Sequence, residues 1–239
     1  MIAAFFDLDG TLYTGHIWKA ITQHHWIHRK KLPFLLAFLV TNLGPWPLVK
    51  RGLLDKEGYL IRWGENMAGM VGGFSRREAQ RAFQWIWDHD VAHSLYPEAM
   101  STLRRHQEQG HEVVLVSGTF QELLEIIAQR LGIPHAVGTP LEVRGERYTG
   151  RIVPPFCFGP YKVQRTKQFL ETAGWETDFA SSFAYADTIY DVPLLESVGN
   201  PIAVCPDEEL LAHARQKGWP VMGAPKEVRE VRSCGRQRG

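Results

Sequence analysis

The period of the apolar positions changes several times along the chain, and each change predicts an element. IAAFFDL at 2–8 is apolar on every residue up to Asp7, the pattern of a short strand buried on both faces. From Thr14 to about His93 the texture becomes helical, rich in Trp and His and interrupted by Gly and Pro. Within it Ser75-Arg76-Arg77-Glu78 has capping-box spacing and predicts a helix through Phe83, Ile86 and Trp87. Pro97 suits the first turn of a helix over about 97–109, which Gly110 ends. EVVLV at 112–116 is a β-branched strand leading to Ser117-Gly118-Thr119, and a helix follows over 120–131, closed by Gly132. LEVRGERYTGRI at 141–152 reads as a hairpin turning at Gly145. A helix over 161–173, strands at 182–186 and 201–205, a helix over 207–217 and a short strand at 219–222 complete the pattern. The charged segment from Lys226 to Gly239 predicts a disordered tail.

Strands alternating with helices predict an α/β fold with a mostly parallel sheet covered on both faces. The core is expected from 1–13 and 94–225, with 14–93 as one all-helical insertion after the first strand. In such a sheet the ligand site lies outside the C-terminal ends of the strands.

Composition narrows the function classes. The 239 residues are 44% hydrophobic and 22% charged, with a net charge of +1, so no basic surface argues for nucleic acid. Cys157, Cys205 and Cys234 are too few and too scattered for a disulfide framework or a metal site, and predict reduced thiols in a cytoplasmic protein without a signal peptide. Eighteen uncharged residues between Lys31 and Lys50 border on a membrane span. Gly44, Pro45 and Pro47 are expected to break a helix in the second half, and the continuous apolar part, Leu32 to Val40, is too short to cross. The expectation is a helix packed within the insertion rather than a membrane-surface contact.

Three polar clusters fall at the ends of predicted strands: Asp7 with Asp9, Ser117 with Thr119, and Asp187 with Asp191; Lys162 begins a helix between the last two. Carboxylates converging on one point repel one another unless a cation sits among them, and hard oxygen donors suit Mg²⁺. A metal beside a free carboxylate, a lysine and a hydroxyl with backbone N–H groups makes a site for a phosphoryl group. An aspartate held against phosphorus is then a nucleophile.

DLDGT at 7–11, SGT at 117–119, Lys162 and ADTIYD at 186–191 resemble, in order and spacing, the four motifs of the haloacid dehalogenase superfamily of phosphohydrolases. The insertion, the YTGRI hairpin and DVPLL after Asp191 resemble its phosphoserine-phosphatase-like subgroup, often called subfamily IB, over about residues 1–222. The resemblance implies a Rossmann-like three-layer core with a helical cap of the C1 type. It implies that Asp7 is the nucleophile and Asp9 the general acid and then base. Mg²⁺ would be held by Asp7, the Asp9 carbonyl and Asp187. Thr11, Ser117, Gly118 and Lys162 would bind phosphate, and Asp191 would orient Lys162 or a metal-bound water.

The implied activity is hydrolysis of a small phosphorylated metabolite through an aspartyl-phosphate. The alternatives are a lipid phosphate taken at a membrane surface and transfer of the phosphoryl group to an alcohol. Oligomeric state is left open. Phosphoserine phosphatases carry a glutamate nine residues after the nucleophile, where this chain has His16, and a Gly-Asp-Ser where it has Ala186-Asp187-Thr188. The first difference argues against phosphoserine and makes His16 a candidate substrate contact. His24, His25 and His28 lack the carboxylate of a zinc-protease motif and are expected on an aromatic-flanked face of the cap. Trp18, Trp26, Trp46, Trp63, Trp85 and Trp87 are expected in its core, and Asp88-His89-Asp90 near the return to the main fold.

Overall fold

A computed structural model describes residues 1–225; the expected tail lies outside the described residues. Six parallel strands form the central sheet. They are β1 (Ala3–Phe6), β2 (Glu112–Phe120), β3 (His135–Thr139), β6 (Phe183–Ala186), β7 (Asn200–Val204) and β8 (Val221–Met222), in the spatial order β3-β2-β1-β6-β7-β8. An antiparallel hairpin, β4 (Leu141–Arg144) and β5 (Arg147–Ile152), stands apart from the sheet.

Alternation explains why β1 is apolar throughout. Ala4 and Phe6 join one buried cluster with Val113 and Leu115, while Ala3 and Phe5 join another with Val114 and Val116. Both faces are covered. Helices α6 (Pro97–Glu108), α7 (Gln121–Arg130), α8 (Pro160–Thr172), α9 (Val192–Glu196) and α10 (Glu208–Lys217) connect the strands. The chain builds outward from β1 in both directions, so the order reverses between β1 and β6. That reversal opens a crevice at the C-terminal ends of the two strands.

Between β1 and α6 the chain forms α1 (Ile17–Ile27), α2 (Leu32–Leu43), α3 (Trp46–Lys50), α4 (Lys56–Met67) and α5 (Arg76–His89), with short 3₁₀ turns. The Ser75–Glu78 capping box at the start of α5 is present. The two chain crossings into and out of this region run side by side: the Thr14 N–H donates to the Ser94 carbonyl at 2.8 Å and the Tyr96 N–H to that of Leu12 at 2.8 Å. The Tyr13 hydroxyl donates to Asp90 at 2.5 Å, which places the Asp88–Asp90 stretch at this junction.

The structure corrects several expectations. His135–Thr139 is a strand that the pattern did not predict, because His135 and Gly138 dilute a five-residue run. Its pairing with β2 makes it one, and also extends β2 to Phe120, past the expected end at Val116. The break expected at Gly44-Pro45-Pro47 falls between α2 and α3, but it does not turn the chain out of the helical path. Gly44 (φ −54°, ψ −47°) and Pro45 (φ −72°, ψ −13°) keep right-handed helical backbone, so the chain stays helical from Leu32 to Lys50. Pro47 falls in the first turn of α3, where a missing N–H costs little. This stretch packs on the insertion through one side alone: Leu35, Phe38, Asn42 and Val49 are buried, 22% of it in all. Trp26, expected in the core, is 62% exposed.

Candidate active site

The buried strand ends of β1 and β6 deliver the acids. Asp7 follows β1 directly, and its N–H donates to the Tyr185 carbonyl at 2.9 Å, so the residue is still held by the neighbouring strand. The chain then turns: the Leu8 carbonyl accepts from Thr11, Leu12 and Tyr13, and the Gly10 N–H donates to the Tyr13 carbonyl at 2.7 Å. Gly10 has φ +83°, and a Cβ there would run into the Asp187 carboxylate. The glycine is therefore needed both by the turn and by the approach of Asp187, which follows β6.

Ser117 lies inside β2 at a register irregularity between Val116 and Phe120. Such a bulge re-aims side chains without ending the strand. The Thr119 N–H donates to the Ser117 hydroxyl at 3.2 Å. Gly118 is tied through its carbonyl to the Thr139 hydroxyl at 2.9 Å, and Thr139 in turn accepts from the Cys157 N–H at 3.1 Å. Thr139 was not singled out in the sequence, and Cys157 was read there only as a reduced thiol.

Lys162 enters from the first turn of α8. Gly159, at φ +53° and ψ −130°, sets that start, and Pro160 follows at the first helical position. The Lys162 ammonium bridges two aspartates, at 2.6 Å from Asp7 Oδ1 and 2.5 Å from Asp191 Oδ1. Asp191's other oxygen accepts from the Thr188 hydroxyl at 2.8 Å. The Thr11 hydroxyl lies 3.5 Å from Asp7 Oδ2. Asp7, Thr11, Ser117, Lys162, Asp187 and Asp191 are all buried.

The electrostatics follow from this burial. Removal from water pushes the Asp7 carboxyl up to about 7; Lys162 opposes the shift, and Asp191 and Asp187 add to it. For Lys162 burial acts downward, but Asp191 and Asp7 outweigh it and hold the ammonium charged above its ordinary range. One lysine thus faces several carboxylates. Asp7, Asp187 and Asp191 can each bring an oxygen within 4.8 Å of the others. An all-oxygen, all-carboxylate donor set in a cradle kept open by Gly10 fits Mg²⁺.

Asp9 is placed differently. It is half-buried, and both its oxygens lie 3.2 Å from the Ile17 N–H at the start of α1. The carboxylate serves as the cap that His16, the residue at the N-cap position, does not provide through its own side chain. His16 is thereby placed next to the helix end that Asp9 grips. His24 and His28 do face each other, rings 4.6 Å apart, and both meet Trp85 edge-on.

One aromatic contact between the helical insertion and the end of β2 was missed in the sequence. The Phe156 ring sits against Gly64 of α4 and against Gly118, so a Cβ at Gly64 would collide with it. Nearby, Lys56 at the start of α4 pairs with Glu209 of α10 at 3.0 Å and lies over the Tyr190 ring. The only sequence signal for Phe156 is its place in FCFGPYK, just ahead of Lys162.

These features are those of a haloacid dehalogenase-like hydrolase, and the model of that family matches residues 4–196. The chain belongs to this family and is an enzyme of the hydrolase class. Among curated relatives, it is 30% identical to phosphoserine phosphatase SerB1 of Mycobacterium tuberculosis over 92% of this chain and 70% of that one. It is 28% identical to a histidinol-phosphatase of Neisseria meningitidis serogroup C, over 92% of this chain and 97% of that one. Among solved structures, a protein of unknown function from Bordetella pertussis Tohama I superposes with a TM-score of 0.79 at 28% identity, covering 92% of this chain and 97% of that one.

Proposed function

We propose that this hydrolase releases phosphate from a small phosphorylated metabolite, with Asp7 as the nucleophile. The observation that carries the reading is the buried ammonium of Lys162 between Asp7 and Asp191, at the crevice where the sheet order reverses. One ammonium among three carboxylates would accept a dianionic group with a divalent cation beside it, the charge that Mg²⁺ would supply.

In this reading an Asp7 oxygen bonds to phosphorus as the ester oxygen leaves, and Asp9 gives that oxygen a proton. Asp9 then takes a proton from water, which bonds to phosphorus and releases Asp7. The Ser117 hydroxyl and Gly118 N–H donate to the phosphate oxygens, and Lys162 neutralises their charge. Asp7, Asp187 and the Asp9 carbonyl would hold Mg²⁺, which would supply further positive charge at the phosphate. Asp191 holds Lys162 in place. Because Asp9 caps α1, the position of the acid is linked to the first helix of the insertion.

The substrate class is a phosphomonoester. The two curated relatives carry names for different substrates, the phosphate of an amino acid and that of an amino alcohol, and neither name transfers at this identity. His16, beside Asp9, is the residue we assign to the leaving group. A lipid phosphate is a second reading, favoured by the exposed apolar surface of α2 and α3. The cytoplasmic reading rests on Cys157 and Cys205 being buried thiols rather than a disulfide.

The test is phosphate release from soluble and lipid phosphomonoesters side by side, with Mg²⁺ and with chelator, by wild type and Asp7→Asn. The expected outcome is metal-dependent release that Asp7→Asn lowers by about a thousandfold or more. Equal rates for the two proteins would sink the proposal.

A further inference from the structure

The helical stretch Leu32–Lys50 has two sides. Leu35, Phe38 and Val49 are buried against the rest of the cap. The outward side carries Leu36 (53% exposed), Val40 (73%), Leu43 (43%) and Leu48 (42%), at helical spacing. A surface helix of a soluble protein places polar residues at these positions. Here the exposed polar residue between Pro33 and Leu48 is Thr41 alone. Trp26, the most exposed large aromatic among the described residues, lies at the end of α1 just before this stretch.

Charge says what covers the face. No Asp or Glu occurs between Asp9 and Asp55, while Lys19, Arg29, Lys30, Lys31, Lys50 and Arg51 all fall in that interval. The remainder of the chain is acidic on balance, with 21 cations against 26 carboxylates. Lys31 is occupied inside the cap, donating to the Gly69 and Gly72 carbonyls. Arg29, Lys30, Lys50 and Arg51 are exposed and flank the apolar face at both ends. A second copy laid on this face would bring these four cations up against their own counterparts. An anionic lipid surface matches both features at once: apolar side chains enter the acyl boundary while flanking cations meet the headgroups.

We infer that the cap lies with the outer face of α2 and α3 on an anionic bilayer. The helix rests in the interface plane rather than crossing, because its inner side stays packed on the protein. About 28 Å of helix is thereby presented flat to the surface. This docking is independent of the chemistry assigned to Asp7.

The experiment is co-sedimentation of the full chain with vesicles of phosphatidylcholine alone and of phosphatidylcholine with roughly a third phosphatidylglycerol. Binding to the anionic vesicles is expected to be at least about tenfold tighter, the step that one or two basic side chains at the surface supply, and to weaken in high salt. Leu36→Glu/Val40→Glu abolishes sedimentation with both vesicles. Lys30→Gln/Lys50→Gln removes the preference for anionic lipid. Both variants hydrolyse p-nitrophenyl phosphate at the wild-type rate to within about twofold, since exposed substitutions leave the fold intact. Loss of hydrolysis in wild type as well would count against the function proposed above and leave docking standing. Three results overturn the inference: no sedimentation of wild type, undiminished sedimentation of Leu36→Glu/Val40→Glu, or a wild-type dimer that this variant splits.

Discussion

At the C-terminal ends of β1 and β6 a lysine and three aspartates lie buried within reach of one another, whereas along α2 and α3 leucines and a valine lie in solvent. Each region inverts the ordinary sorting of residues, and the inversion marks work other than folding. The first region spends stability on charges that a hydrophobic cluster of the same volume would not require. The second withholds apolar area from the core. They also differ in how they are held: every polar side chain around Asp7 is fixed by a strand end, a helix start or a hydrogen bond, while the outer α2 residues are fixed only by their helix.

The largest break of this contrast is Lys162→Met. It leaves Asp7, Asp187 and Asp191 buried without their cation, and urea unfolding in chelator should show a loss of about 3–5 kcal/mol. Asp7→Asn should not, because Lys162 keeps Asp191 as its partner. Matching losses for the two variants would mean that the lysine is not the element balancing the site.

Gly10→Ala comes next. The new methyl meets the Asp187 carboxylate at a positive φ, so a loss of about 1–3 kcal/mol is expected together with weaker Mg²⁺ binding, followed by titration calorimetry. Unchanged metal affinity would show that Asp187 has room to retreat.

The smallest effect is on pH dependence, away from both regions. Burial lowers His24 in the cap and His106 beneath the sheet to about 4. Their folded values lie below the unfolded value near 6.5, so the stability of the neutral rings is fully present above about pH 6.5 and is lost as pH falls toward 4. The thermal midpoint should fall over that window, and His24→Gln should flatten part of the slope. A midpoint flat from pH 6.5 to 4 in wild type would contradict the burial of these rings.

The two regions were not equally legible in the sequence. Asp7, Asp9, Gly10 and Asp187 could be placed because a strand buried on both faces is a continuous apolar run, and its polar end is conspicuous. Lys162 could be placed at a helix start between two of the clusters, but its role needed the family resemblance, since one lysine there carries no local signal. β3 and Phe156 were missed because tertiary contacts make them what they are: pairing with β2 for one, the gap at Gly64 and Gly118 for the other. The apolar run in α2 was visible, but its direction was not. Whether a run of leucines faces a core or the outside depends on what packs against it, and the expected proline break gave no sign that α3 continues the helical path of α2.

The central claim is that Asp7 itself takes the phosphoryl group. Borohydride quenching during turnover reduces an aspartyl-phosphate to homoserine, which peptide mass spectrometry locates. The account predicts homoserine at position 7, only with substrate present and not in Asp7→Asn. Phosphate release with an unmodified Asp7, or homoserine at another aspartate, would contradict it.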